Sequence, residues 1–444
     1  MSVRTRLAAA VTTFVLALLA TACTTTLDFG SSPTPEVSAP RSPESPSPVP
    51  TGTGSAAAAM KALCEHTSSG GSSAVTAEGP TPPAIAQVEK QVEELRGLSF
   101  TQPVAVDAVT HAELVKGLEK SFDTSFPRAL YERRSLAWQT IGVIPKGTDI
   151  RRALEEFNSG QVIGYYDTLS KELVFMGSNA PTAMEKVTLA HELTHALDDQ
   201  TFGLSRIDHL GNTCQDEAYD AAVGAVEGDA TYFMTQYALK DLTLEEQLQL
   251  GTEAGTAPST ASIPPFIVQM QEWPYMAGMD FVTALEARGG VKAVDQALTD
   301  LPTSTEQIIH PETYPNDVPQ PVDIPDLGPR LGSEWSDLDV QQVGEEFLSI
   351  MLALRLDQGT ADEASAGWGG GIYRAWRNGA AVAVVLSTVW DTTTDATQFA
   401  DAMQGWIDAG NGQSATVLPV QGNRVEVLFG SDAQTLSALE AAAG

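Results

Sequence analysis

Two histidines four residues apart with a glutamate between them stand in the run Thr188-Leu-Ala-His191-Glu192-Leu-Thr-His195-Ala-Leu197. On a helix that spacing places both imidazoles on one face, one turn apart. Such a pair can hold a small borderline-soft cation, and catalytic zinc is commonly held in this way. Glu192 follows the first histidine and can reach a metal-bound water without itself ligating the metal. The flanking residues Leu189, Leu193, Ala196 and Leu197 are apolar, so the rest of the helix can be buried. A three-ligand site needs one more donor.

The third-histidine spacing of metzincins requires Gly at 198 and His at 201, and here these are Asp198 and Thr201. Downstream lies Asp220-Ala-Ala-Val-Gly-Ala-Val-Glu227-Gly-Asp229-Ala, which fits a helix rich in small residues. The interval from His195 leaves room for a turn through Gly203–Gly211 and a second helix returning past the first. Glu227 is therefore the expected third ligand, giving a His2Glu set with one open position. His209 is the rival donor, in a stretch that reads as a Gly/Asn-rich loop. The small residues are expected to let the two helices approach closely. Asp220 and Asp229 are candidates to orient a ligand histidine from behind.

HELTHAL followed by EGDA resembles the gluzincin zinc metallopeptidases. The chain is similar, more closely, to a group of bacterial exported metallopeptidase-like proteins that read GfYD, HELTHALQDQ and VEGxA. The matching residues are Gly164-Tyr-Tyr-Asp167, His191 to Gln200, and Val226-Glu-Gly-Asp-Ala230. The resemblance implies a zincin-like α+β domain with one catalytic Zn2+ held by His191, His195 and Glu227. From its own pattern the run Gln161 to Met176, before the zinc helix, reads as a β-hairpin, and the resemblance implies Glu192 as general base. In such folds an edge strand nearby binds substrate as an added strand. The chain departs from the gluzincin ExxxD pattern, because Thr231 follows Glu227 by four. It also carries Gly371-Ile372 where the related proteins have Asp-Arg after GWGG. The stretch Ser304-Thr-Glu-Gln-x-x-His310-Pro-x-x-Tyr314 extends the resemblance. His310, Tyr314 and Tyr275, in that order, are candidate donors to a tetrahedral oxyanion.

The elements that must carry these residues follow from pattern. Met1 to Ala22, with Arg4 and Arg6 before an apolar run, reads as a lipoprotein signal peptide, with cleavage before a lipid-bearing Cys23. Ordinary secretion is the alternative. Residues 23–80, rich in Pro, Ser and Thr at their start, read as a tether between membrane and domain. The metallopeptidase domain is expected over 81–330. Within it, Ala84 to Leu98 reads as a helix with Ile85, Val88, Val92 and Leu95 on one face. Val104 to Val109 reads as a strand, and Thr110-x-x-Glu113 as a capping box. Phe266 to Ala287 reads as a helix interrupted at Pro274. Residues 331–444 are expected to form a small α+β region packed on the first. There Val340 to Leu356 reads as a helix, Ala364 to Tyr373 as a tight glycine turn, and Ala380 to Trp390 as a buried strand.

Cys64 and Cys214 remain outside the leader, and in an oxidising compartment they are expected to pair. The formal charge is −32, and −34 without the two leader arginines. That balance excludes nucleic acid as a partner, and no phosphate-loop pattern points to a nucleotide. The sequence thus predicts a membrane-anchored, extracytoplasmic zinc metallopeptidase acting on protein or peptide. Two alternatives stand beside it: a zinc-binding envelope lipoprotein with a binding or regulatory role, and a zinc amidase acting on wall peptide.

Overall fold

A computed structural model describes residues 55–64, 81–125, 127–253, 259–410 and 412–444. The leader, Cys23 and most of the expected tether lie outside the described residues. Among the described residues no helix is long and apolar enough to cross a membrane.

The chain is mixed α and β, with two separate sheets. The first has three strands: β1 (Ala105–Val109), β2 (Gly164–Asp167) and β3 (Glu172–Met176), in the order β1-β3-β2. β1 runs parallel to β3, and β2 antiparallel. The hairpin turn is closed by Asp167, whose side chain accepts from the N–H groups of Leu169 and Ser170. β3 is the centre of this sheet, so β2 is the edge strand of the hairpin.

Behind the sheet lie the elements that carry the candidate ligands. The histidine helix, Ala183–Phe202, starts at a Thr182/Glu185 capping box and ends at Gly203, where φ is +74° and a left-handed cap is needed. The glutamate helix, Asp216–Lys240, follows a short helix, Ser205–Asn212. His209 therefore sits on a helix and not in the expected loop. Pro83–Arg96 packs on the histidine helix with Ile85, Val88 and Val92 buried, and joins Leu189, Leu193 and Leu197 in one core. Pro265–Gly289 is one continuous helix with Pro274 inside it, so the expected interruption is absent.

The small residues do what was expected, but against a different partner. A Cβ on Gly228 would collide with the backbone of Gly278, and one on Gly278 with Gly224 O. The close approach is between the glutamate helix and helix Pro265–Gly289. Ala221, Ala222 and Ala225 pack with Leu204, Ile207 and Phe281.

The second sheet has five antiparallel strands in the order β4-β5-β6-β8-β7: Ser336–Gln342, Trp368–Asn378, Ala381–Trp390, Arg424–Gly430 and Ser414–Val417 for β4, β5, β6, β8 and β7. Two expectations fail here. Ser336–Gln342 is a strand, with the helix confined to Glu345–Ala353. Four consecutive residues of β4, Leu338 to Gln341, are buried on both faces, which hides the period of two that marks a strand. The glycine run is the start of β5, kinked by a bulge between Trp368 and Gly370. Its glycines let neighbouring backbone close in: Gln320 N–H donates to Gly369 O at 2.7 Å and Val343 N–H to Gly371 O at 3.1 Å.

One face of this sheet packs on helices Glu345–Ala353 and Thr393–Ala409, and also on Arg128–Ile141 and Ile150–Gln161 from the earlier half of the chain. The other face takes Ala433–Ala443 and a helix at Ala56–Cys64. That last helix corrects the tether, whose described part is folded against the sheet, with Ala56 N–H donating to Asp323. Cys64 and Cys214 are bonded, with Cα atoms 6.0 Å apart.

Candidate metal centre

The histidine and glutamate helices cross so that three donor atoms meet. His191 Nε2 lies 3.0 Å from His195 Nε2 and 3.1 Å from Glu227 Oε2, and His195 Nε2 lies 3.3 Å from Glu227 Oε2. Tetrahedral ligands with bonds of about 2.0–2.2 Å stand about 3.3–3.6 Å apart, so the trio has nearly the dimensions of a zinc cage. The donor set, two imidazoles and a carboxylate, is also one that zinc takes. Burial pushes the His191 imidazole down to about 4, against the raising effect of Glu227, so it is neutral and its lone pair is free to ligate. Burial alone raises the Glu227 carboxyl, but the two imidazoles outweigh it and hold the group near 2, ionised. The residues present fit a zinc ion.

Glu192 is fully buried and close enough to the trio for the Glu227 charge to act on it. Burial drives its pKa well above the usual carboxylate range, and the Glu227 charge adds to this; the Tyr166 backbone amide opposes both. Apart from that amide, neither Glu192 oxygen has a hydrogen-bond partner among the described residues. A buried carboxyl without a side-chain donor is costly, and one with lone pairs free is available to take a proton. β2 sets its position: a Cβ on Gly164 would stand 3.3 Å from Glu192 Cγ and 2.9 Å from Thr188 Cγ2. The glycine lets the strand lie directly on the helix. Tyr166 then ties the strand's far end down by donating to Asp199 at 2.9 Å, where Lys171 Nζ also sits at 2.6 Å.

Asp198, Asp199 and Gln200, which follow HELTHAL, each fasten a different segment. Asp198 pairs with Arg96 at 3.3 Å. Asp199 holds the hairpin and accepts from Leu204 N–H. Gln200 accepts from the N–H groups of Thr101 and Gln102. Arg96 is fully buried and also meets Asp229 at 3.0 Å and Asp295 at 2.5 Å. It thus clasps the histidine helix to the glutamate helix just behind the ligands. Arg96 was not singled out from the sequence, and Gly164, Asp198 and Asp199 entered only as parts of the matched motifs, without a role. One signal was present: two aspartates near a helix C-terminus oppose the helix dipole and demand specific partners.

The other expected site residues are placed elsewhere. Asp229 is occupied by Arg96, and its helical phase, two residues from Glu227, turns it to that side. Asp220, two turns before Glu227, lies among Asp216, Glu217, Glu346 and Arg134. Neither bonds a ligand histidine, and the Nδ1 atoms of His191 and His195 have no partner among the described residues. His310 Nε2 is 3.0 Å from Glu345 Oε1, and the Tyr314 hydroxyl donates to Asp300 O at 2.7 Å. The Ser304–Gln307 stretch docks on the start of the glutamate helix, where Thr305 donates to Glu217 through both N–H and Oγ1. Of the three candidate oxyanion donors, Tyr275 is the one in contact with the trio, its ring 6.1 Å from that of His191 and stacked on it.

A family model described as a domain of unknown function (DUF8575) matches residues 333–440, the five-stranded sheet and its helices. No curated protein matches the chain. A solved structure described as "a putative hydrolase with a novel fold from Chloroflexus aurantiacus" aligns over 58% of this chain and 95% of that chain. The identity is 15% and the TM-score 0.33, a likeness too slight to bear on fold or activity.

Proposed function

We propose that this chain is a zinc-dependent metallopeptidase of gluzincin type that hydrolyses peptide bonds in protein or peptide substrates. The reading includes an extracytoplasmic location, with the chain held at the membrane by lipid on Cys23. The observation that carries it is the convergence of His191, His195 and Glu227 within 3.3 Å, beside a buried Glu192 that meets no side-chain partner among the described residues. Zinc, when bound, supplies Lewis acidity and a lowered pKa for the attacking water. The ionised Glu227 would leave one positive charge on a site holding a dication. Glu192 takes the proton from water and returns it to the leaving amine. The cation would lower the Glu192 pKa from its raised value toward the working range of a base.

A second reading, a zinc-binding envelope protein with little turnover, is favoured by one observation. His191, Glu192 and His195 are fully buried and Glu227 is 2% exposed, so among the described residues the trio has almost no contact with solvent.

The test is zinc content beside cleavage of a mixed peptide library, for the full chain and its Glu192→Ala variant. The peptidase reading expects about one zinc in both and cleavage by the parent alone. Zinc in both with cleavage by neither supports the second reading. A parent without zinc removes both.

A further inference from the structure

A cavity of about 510 Å³ lies between the C-terminus of helix Arg128–Ile141 and one end of the five-stranded sheet. Its size suits a small-molecule site, and no member of the histidine trio lines it. Leu136, Ile144 and Val382 give it an apolar wall. Its charged residues are Lys146, Arg355 and Asp432. The cavity thus carries one net positive charge, in a chain of 57 acidic and 25 basic side chains.

Arg355 is held in place without a counter-ion. Its guanidinium lies over the Trp406 ring, 3.4 Å from the centroid. Nη1 donates to Trp406 O at 3.0 Å and Nη2 to Gly142 O at 3.3 Å. Two glycines leave room for it. A Cβ on Gly142 would stand 3.0 Å from Nη2, and one on Gly410 would collide with Nη1. Among the described residues no carboxylate pairs with Arg355, and burial lowers its pKa with no acid opposing. A guanidinium has five N–H groups, and the two carbonyls take only part of that capacity. The rest is available to an acceptor that enters the cavity. A partly buried cation without a counter-ion is stabilised by an anion placed beside it.

We propose that this cavity binds a small monocarboxylate with an apolar body, its carboxylate on Arg355 and its apolar part against Leu136, Ile144 and Val382. A planar guanidinium matches a carboxylate with parallel N–H···O bonds. The single net charge favours a monoanion, because Asp432 repels a second negative charge. Lys146, at an exposed position, adds attraction from the solvent side. A short-chain acid and the C-terminal end of a peptide share this chemistry.

The probes are hexanoate for the acid and N-acetylleucine for the peptide end. Each is titrated calorimetrically into the full chain in chelator, so that no metal on the trio takes part. At least one should bind at a single site with a dissociation constant on the order of 10⁻³ M or below, and the tighter of the two names the source. The neutral amides, hexanamide and N-acetylleucinamide, should bind at least tenfold more weakly. Arg355→Gln should lose tenfold or more. Lys146→Glu, at an exposed position, should keep the parent's melting temperature and weaken binding by about fivefold. Where Arg355→Gln does not fold, Lys146→Glu decides. A parent that binds neither probe up to about 20 mM overturns the proposal. So do amides that bind like the acids, inorganic phosphate that binds more tightly than either probe, and folded variants that bind like the parent.

Discussion

Gly164 lies against Glu192 so closely that a single added methyl on the strand would stand 3.3 Å from the carboxylate's Cγ. The absence of a side chain on β2 is therefore part of the arrangement that aims Glu192. Gly164→Ala must displace Thr188 or Glu192. On the metallopeptidase reading it should lower kcat at least tenfold while zinc content stays at one. Equal activity in the two proteins would show that the glycine has no bearing on Glu192.

Arg96 stands among Asp198, Asp229 and Asp295 with no exposure to solvent. Replacing it with Met leaves buried carboxylates without their cation, a loss that typically costs about 3–5 kcal/mol. Urea unfolding of Arg96→Met should show a drop of that order and weaker zinc retention. A variant within about 1 kcal/mol of the parent would remove the clasp from the account.

The Tyr314 hydroxyl is spent on Asp300 O, and His310 on Glu345. Tyr314→Phe should keep turnover within about twofold and lose about 1 kcal/mol of stability, the usual net value of one hydrogen bond. A large fall in kcat with unchanged stability would return Tyr314 to the reacting centre.

Several carboxyl groups are raised mainly by burial: Glu89, Asp208 and Glu217 to about 7, and Glu306 to about 9. Between pH 5 and 9 the folded chain holds protons on them that the unfolded chain has already released. Stability should thus fall as pH rises through this range. Urea midpoints in chelator at pH 5, 7 and 9 should decline in that order. A rising series would mean that other groups dominate.

Reducing Cys64–Cys214 opens a closure of 150 residues. The chain-entropy estimate for a loop of that length is about 5 kcal/mol. The reduced protein should melt well below the oxidised one, and Cys64→Ser with Cys214→Ser should match it.

The convergence of His191, His195 and Glu227 was legible because two helical periods, one within HELTH and one around Glu227, determine which residues can share a point in space. The helix at 83–96 was legible because it buries one face, and the hairpin, buried on both faces, was legible from its turn residues between Asp167 and Lys171. The supporting shell was hidden because its members lie far apart in sequence. Arg96 and Asp229 are 133 residues apart, and neither has a local signature. β4 was hidden because burial on both faces erases its alternation, and the β5 glycines imitate a turn while serving a bulge. The helix at 56–64 has four consecutive alanines beside a Pro/Ser/Thr-rich stretch, and only its contact with the sheet distinguishes it from its surroundings.

Cys64 ends the first described helix, and its bonded partner lies two residues before Asp216, where the glutamate helix starts. A pull on the chain ahead of Ser55 would meet that helix first, seated on the five-stranded sheet. Force passing it would cross the sulfur bridge directly to the start of the helix that carries Glu227, bypassing the intervening 150 residues. In mechanical terms the molecule is loaded at its ligand helix, so the trio stands close to the line along which tension would travel.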